Sequence, residues 1–383
     1  MSLTHRRILR GLVAVLLTCI GVGADPIRLV ARQQSAADPA AIDQRLARVG
    51  ADIFSGTPQV DADIAELKAI LAANPKSAQA HMLLGLAYRT KGSTDLMGEA
   101  AGELRQAAEI DPTLIPARVY LAHLYLDLGR PERAGEELQT AIAQMPGQPQ
   151  LQALLGECQR QLGKPDAALE LTSQALKTSP SLAEARYYQG LALYDLKRRD
   201  EAIQAFEEVL KGGGTRSEVY ASLGNAYLDA GRLDEAVKSL TAGVMLEPSR
   251  ADLLIQLAHA YRLKGQLTQA ETWLTRARTL VPETAVSGAD QLTARDLSFE
   301  EGLVRLKLGQ LDAAARNLRK SVDVDPNYGP GYRYLAEVYL RQGLYTRALD
   351  AATRAGTLGS PLPDDLQKTL QQKIRASPPK SPV

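Results

Sequence analysis

Residues 217–248 read SEVYASLGNAYLDAGRLDEAVKSLTAGVMLEP. Leu223 and Gly224, then Tyr227, Ala236 and Leu240, place apolar and small residues at helical spacing on either side of a break at Gly231. A glycine in that position can adopt the left-handed conformation that ends a helix. Glu247-Pro248 stops the second stretch, because proline disfavours helix in the residue before it. This punctuation alone divides the segment into two helices joined by a tight turn.

The same pattern returns in blocks of thirty-four residues. A Gly or Ala holds the eighth place in eight blocks (Gly85, Ala122, Gly156, Gly190, Gly224, Ala258, Gly302, Ala336), and an Ala holds the twentieth (Ala100, Ala134, Ala168, Ala202, Ala236, Ala270, Ala314, Ala348). The inter-helix turn carries Gly129, Gly163, Gly231, Gly265, Gly309 and Gly343. Pro75, Pro112, Pro146, Pro180, Pro248, Pro282 and Pro326 close the blocks, with Gly214 and Ser360 at the two remaining ends. Small residues at two fixed places let facing helices approach closely. Tyr88, Tyr125, Tyr227, Tyr261 and Tyr339, at the eleventh place, cover that contact with a planar ring. A period of this length marks a stacked array. One helix pair cannot bury its apolar stripe alone, so its stability comes from its neighbours.

The blocks resemble the tetratricopeptide repeat, W-x2-L-G-x2-Y followed by A-x3-F and a closing A and P. The likeness covers residues 44–362 and is fullest at Leu223, Gly224, Tyr227, Ala236, Leu240 and Pro248. The family's leading aromatic is often replaced: the fourth place holds His81, Arg118, Gln152, Arg186, Tyr220, Leu254, Ser298 and Tyr332. Only Phe206 fills the family's Phe place. The resemblance implies an all-α fold, a right-handed superhelical solenoid of antiparallel helix pairs whose concave groove holds a protein or peptide.

Eight repeats are expected over 78–362, preceded by a degenerate pair at 42–77 in which Asp63 stands where alanine belongs. Ser93-Thr94-Asp95 lengthens one turn by three residues, and an insertion near 283–294 is long enough for a loop or an extra helical turn. Residues 363–377 suit a C-terminal capping helix, with Asp364 and Asp365 favouring its dipole. Residues 25–41 and 378–383 read as flexible.

The composition agrees. With 45% hydrophobic residues, the chain is too apolar to remain disordered, and 45 Lys+Arg against 44 Asp+Glu leaves no basic footprint for nucleic acid. Three Phe and one Trp mean that Leu, Ala, Val and Tyr build the core, as packed helices allow. At the N-terminus, Arg6, Arg7 and Arg10 precede the uncharged stretch GLVAVLLTCIGVGA (11–24), which has small residues before Asp25. This is the form of a secretory signal cleaved near Ala24, giving an exported, periplasmic or envelope-associated protein. An uncleaved anchor and lipid attachment at Cys19 are the alternatives, and only these would bring the chain to a membrane. Without residues 1–24 the net charge falls from +1 to −2, and one cysteine remains, Cys158, expected as a small buried hydrophobe.

No catalytic signature stands out. The histidines are His5, His81, His123 and His259, with no closely spaced ligand pair, so neither metal nor cofactor is expected. Gly212-Gly213-Gly214-Thr215 lacks the Lys-Ser/Thr of a phosphate-binding loop and reads as a flexible replacement for the missing proline. Carrying the family's groove places onto this chain gives Val119, Tyr120, His123, Glu157, Arg160, Tyr187, Tyr188, Leu191 and Tyr194, then Asn225, His259, Arg262, Arg333, Tyr334 and Glu337. Tyr120 and Tyr188 have an equal claim to packing between repeats, because large rings tend to be buried. Clustered exposed tyrosines suit partner binding, since they offer large contact area with few rotatable bonds. The expected function is a non-enzymatic scaffold of the bacterial cell envelope that binds a partner peptide or helix. The alternative is an accessory subunit that tethers or regulates a catalytic partner, such as an export or polysaccharide-synthesis enzyme.

Overall fold

The computed structural model describes residues 39–55, 59–92, 94–281 and 288–376. The proposed signal peptide, Cys19, most of the 25–41 linker and the 378–383 tail lie outside the described residues. The described part contains nineteen helices and no strand. It divides into two compact units, the first ending at Val219 and the second beginning at Tyr220.

Unit 1 begins with the pair α1 (Pro39–Ser55) and α2 (Val60–Ala73). Four pairs follow: α3 (Ala78–Lys91) with α4 (Thr94–Ile110), α5 (Ile115–Asp127) with α6 (Pro131–Gln144), α7 (Pro149–Gln161) with α8 (Pro165–Thr178), and α9 (Ala183–Asp195) with α10 (Arg199–Lys211). Most of α11 (Ser217–Asp229) lies in unit 2, where it precedes α12 (Leu233–Leu246). Then come α13 (Ala251–Leu263) with α14 (Leu267–Arg278), α15 (Gly288–Lys307) with α16 (Leu311–Val324), α17 (Gly329–Arg341) with α18 (Tyr345–Thr357), and α19 (Asp364–Ala376). Within each unit successive pairs stack, and the buried apolar residues lie between the packed helices.

The turn chemistry explains this regularity. Gly129, Gly163, Gly231, Gly265, Gly309 and Gly343 all have φ between +65° and +76°. At Gly129 the chain closes with Gly129 N–H to Leu126 C=O (3.0 Å) and Arg130 N–H to Tyr125 C=O (2.7 Å), satisfying two carbonyls that the helix end would orphan. Lys197 stands in the equivalent turn with φ +62°, a left-handed conformation held by a residue with a Cβ. At the other end of each hairpin, the residues before proline are extended: Asn74, Met145, Ser179, Glu247 and Asp325 have ψ between +73° and +94°. The Gly212–Gly214 segment is a closed turn and not a flexible one. Gly213 has φ +84°, Gly214 N–H donates to Val209 C=O at 2.9 Å, and a Cβ on Gly214 would lie 2.7 Å from the Val209 side chain.

Packing shows what the small residues accommodate. A Cβ on Gly224 would lie 2.5 Å from Leu240, on Gly302 2.6 Å from Leu318, on Gly190 2.6 Å from Phe206 and on Gly85 2.7 Å from Leu104. The notch at the eighth place is therefore filled by the side chain four residues after the second small residue. At Gly85 and Gly156 the carbonyls of Ala100 and Ala168 also press in, at 2.9 and 3.2 Å. Interiors packed at this density cannot absorb an added methyl without movement.

In three blocks a polar pair inside the hairpin stands where the fourth-place aromatic is lost. His81 Nδ1 lies 2.6 Å from Glu103, Arg118 2.7 Å from Glu137 and Arg186 3.1 Å from Glu208, each acid being on the pair's second helix. The insertion near 283–294 becomes, from Gly288 onward, extra helix at the start of α15, a 20-residue element among neighbours of 12–14. Cys158 is fully buried, and burial pushes its thiol up to about 12.

Candidate protein-interaction faces

In each unit the first helices of successive pairs line one face, and the sequence-derived groove residues all lie on these helices. The structure separates them into half-buried and internal groups. Val119, Tyr120, Glu157 and Arg262 are buried, at 9%, 3%, 6% and 9% exposure, which removes them from the contact surface. Val119 and Tyr120 are apolar bodies taken into the core, whereas Glu157 and Arg262 are buried in ion pairs with Arg160 and Glu300. Burial raises the Tyr120 hydroxyl to about 12. His123, Arg160, Tyr187, Tyr188, Leu191, Tyr194, Asn225, His259, Arg333, Tyr334 and Glu337 remain half-buried.

The face of unit 1 is aromatic at its C-terminal end. The Tyr187 ring lies 5.9 Å from Tyr188 and 5.8 Å from Phe206, both tilted, and the Arg216 guanidinium covers it at 5.3 Å. Lys197 sits 5.7 Å from the Tyr194 ring. Tyr188 donates its hydroxyl to Glu184 Oε1 at 3.1 Å. Desolvation raises the Glu184 carboxyl above its ordinary value, against the pull of Arg216, and also pushes the Tyr188 hydroxyl well up. Arg160 bridges two repeats, bidentate to Glu157 at 2.8 Å and bonded to Asp195 at 2.9 Å. Arg89 makes the corresponding bridge to Asp127 at 2.8 Å. Twelfth-place arginines therefore tie successive first helices together.

The corresponding face of unit 2 carries a buried ion-pair network beside an aromatic cluster. Glu300, buried at 5% exposure, accepts from His259 Nδ1 at 2.6 Å and from Arg262 Nε at 2.7 Å. Burial alone would raise its carboxyl, but the His259 and Arg262 contacts hold it below the ordinary value. Nearby, Arg295 pairs with Asp296 at 2.8 Å and Asp325 at 3.2 Å while covering the Tyr328 ring at 4.5 Å. Desolvation raises both the Asp296 carboxyl and the Tyr328 hydroxyl. Phe299 packs edge-on to Tyr328 and Tyr334 at 5.1 and 5.6 Å, and Arg333 covers Tyr334 at 4.7 Å. Glu337 pairs with Arg341 at 2.6 Å.

The sequence reading missed Glu184, Arg216 and Glu300. Glu184 and Glu300 stand at second and sixth places that the groove register already includes, so their position was legible. Arg216 lies outside the register, in the glycine-containing turn, and only the folded chain brings it over Tyr187. Among the described residues no group of three or more His, Cys, Asp or Glu is arranged to hold a metal, and no helix is long and apolar enough to cross a membrane.

The fold and its stacked faces define a helical-repeat protein. Two family models, each described as tetratricopeptide repeat, match the chain, one at 97–158, 193–248 and 227–289 and the other at 61–115, 159–216 and 299–361. Together they cover well over half of it, and the chain belongs to the tetratricopeptide repeat family. No curated protein sequence matches it. Among solved structures it is similar to the APC/C hetero-tetramer Cut9–Hcn1, with TM-score 0.66 and 17% identity over 87% of this chain and 63% of that one. The chain thus spans less than two thirds of that relative. Two others are a tetratricopeptide repeat protein from Parabacteroides merdae (TM-score 0.49, 17% identity, 69% of this chain and 99% of that) and Pseudomonas aeruginosa pilF (0.48, 20%, 58% and 97%). Tetratricopeptide repeats are protein- and peptide-binding scaffolds and are typically non-catalytic.

Proposed function

We propose that this protein is an exported, non-enzymatic scaffold of the bacterial cell envelope. It holds a peptide segment or helix of a partner protein against the face formed by its first helices. The observation that carries this reading is the half-buried cluster of Tyr187, Tyr188, Leu191 and Tyr194 in unit 1. Rigid amphipathic rings of this kind lose little side-chain entropy on binding. The export arm rests on the arginines and uncharged stretch of residues 1–24.

The test is crosslinking capture from the native envelope with wild type and the Tyr187→Ala/Tyr194→Ala variant. The variant is expected to lose its crosslinked partner while keeping helical circular dichroism. Equal capture by both proteins would move the binding site off this face. An enzyme as the captured chain, with activity that falls on loss of this protein, would make the scaffold an accessory subunit. Mass spectrometry of the native N-terminus checks export, with Asp25 as the expected first residue.

A further inference from the structure

Between the second helices α4 and α6 of unit 1 lies a polar cleft of about 320 Å³, lined by Arg105, Tyr125, Arg133, Glu136 and Glu137. Arg105 Nη2 donates to the Tyr125 hydroxyl at 2.9 Å, and the Arg133 guanidinium sits 5.9 Å from the centroid of the same ring. Glu137 is held by Arg118 at 2.7 Å. Among the described residues neither Arg105 nor Arg133 has a carboxylate within ion-pair distance; their exposed guanidinium groups share the cleft with Glu136 and with Glu137, the latter already engaged by Arg118, and Arg105 feels Glu109 at longer range. A phenol that accepts from an arginine keeps its own proton to donate. Three donors therefore converge on one space.

These residues occupy fixed places: the twenty-fifth of one repeat and the eleventh and nineteenth of the next. In unit 2 the same types recur at the same places as Arg319 in α16, Tyr339 in α17 and Arg347 in α18. Both of these arginines are exposed and without an ion-pair partner among the described residues. Elsewhere in unit 1 the register holds Lys68, Tyr88 and Glu99, or Gln139, Gln159 and Ala167, so the arginine pair is not a requirement of the repeat.

We propose that Arg105, Tyr125 and Arg133 form a seat for a side-chain carboxylate of an acidic peptide segment, and that Arg319, Tyr339 and Arg347 form a second. The proposal rests on the scaffold reading and places a second contact surface on the second helices, away from Tyr187 and Tyr194. Planar guanidinium forks match a carboxylate in shape and charge. Glu136 in the wall repels a dianionic phosphate more than a monoanionic carboxylate.

The experiment is fluorescence anisotropy at low salt with a fluorescein-labelled glutamate-rich peptide and the full chain. Arg105→Gln/Arg133→Gln is expected to weaken binding about tenfold, and adding Arg319→Gln/Arg347→Gln to remove most of the remainder. Tyr187→Ala/Tyr194→Ala leaves this affinity unchanged, which separates the result from the first-helix reading. Arg199→Gln/Arg316→Gln, with the same change in net charge at exposed arginines elsewhere, is the control. Loss of binding in that control equal to the loss in Arg105→Gln/Arg133→Gln overturns the proposal. So does unchanged affinity in the four-site variant, or equal binding of the glutamine version of the peptide. Displacement by millimolar inorganic phosphate, but not by acetate at the same ionic strength, overturns the carboxylate assignment.

Discussion

Glu184 and Glu300 stand on the first-helix faces of the two units, at the second and sixth places of their repeats, and their carboxyls shift in opposite directions. Glu184 has a tyrosine hydroxyl for a hydrogen-bond partner, and desolvation lifts it. Glu300 is also sunk in the protein, but His259 and Arg262 both donate to it and hold it below its ordinary value. Two groove places of the same repeat pattern thus carry a carboxyl beside tyrosines in unit 1 and a carboxyl inside a charge network in unit 2. The difference teaches that the repeat fixes where a side chain points, while its neighbours on adjacent helices fix its chemistry.

The largest way to break this contrast is Glu300→Ala. It strands the buried Arg262 without its carboxylate, and a broken buried pair costs about 3–5 kcal/mol. Urea unfolding followed by far-ultraviolet circular dichroism checks it. An unchanged midpoint would show that water reaches Arg262 and that the network contributes little.

The pH dependence sharpens the contrast. The Glu300 carboxyl is lowered in the folded state, so its contribution is present above the ordinary 4.5 and is lost as pH falls through the folded value. The stability gap between wild type and Glu300→Gln should close on acidification from pH 7 toward pH 3. Glu184 has the opposite sign. Its folded value is raised, so the favourable contribution is complete below 4.5 and is lost as pH rises through the folded value. Wild type should therefore lose stability relative to Glu184→Gln over that rise. Parallel slopes in the two pairs, measured as denaturant midpoint against pH, would remove the distinction.

The smallest effect is at the turn of α9. Lys197→Gly releases a side chain from φ +62° and should stabilise unit 1 by about 1 kcal/mol or less, the gain being reduced by glycine's greater freedom when unfolded. A rise of a few degrees in the melting midpoint is expected. A fall would mean that the Lys197–Tyr194 contact contributes more than the turn strain costs.

The fold was legible because its determinants are local and repeated. Gly231 ends a helix, Pro248 blocks one, and Gly224 leaves a notch that Leu240 fills, all within one block. The candidate faces were legible only in register. Tyr187, Tyr194 and His259 fall where the period puts them, but Tyr120 and Arg262 share that period and are buried. The three-residue lengthening at 93–95 and the insertion near 283–294 were visible as breaks in the period. That the insertion continues as helix from Gly288 depended on packing along α15.

Sequence by itself determined the helix pairs, their turns and the places where backbones must touch, because propensity, left-handed glycines and proline act over a few residues. Tertiary structure alone decided which groove-register side chains are covered, which acid meets which arginine, and how Glu184 and Glu300 titrate. Those outcomes depend on side chains as many as 41 residues apart, as His259 is from Glu300, and on the water that packing excludes between them.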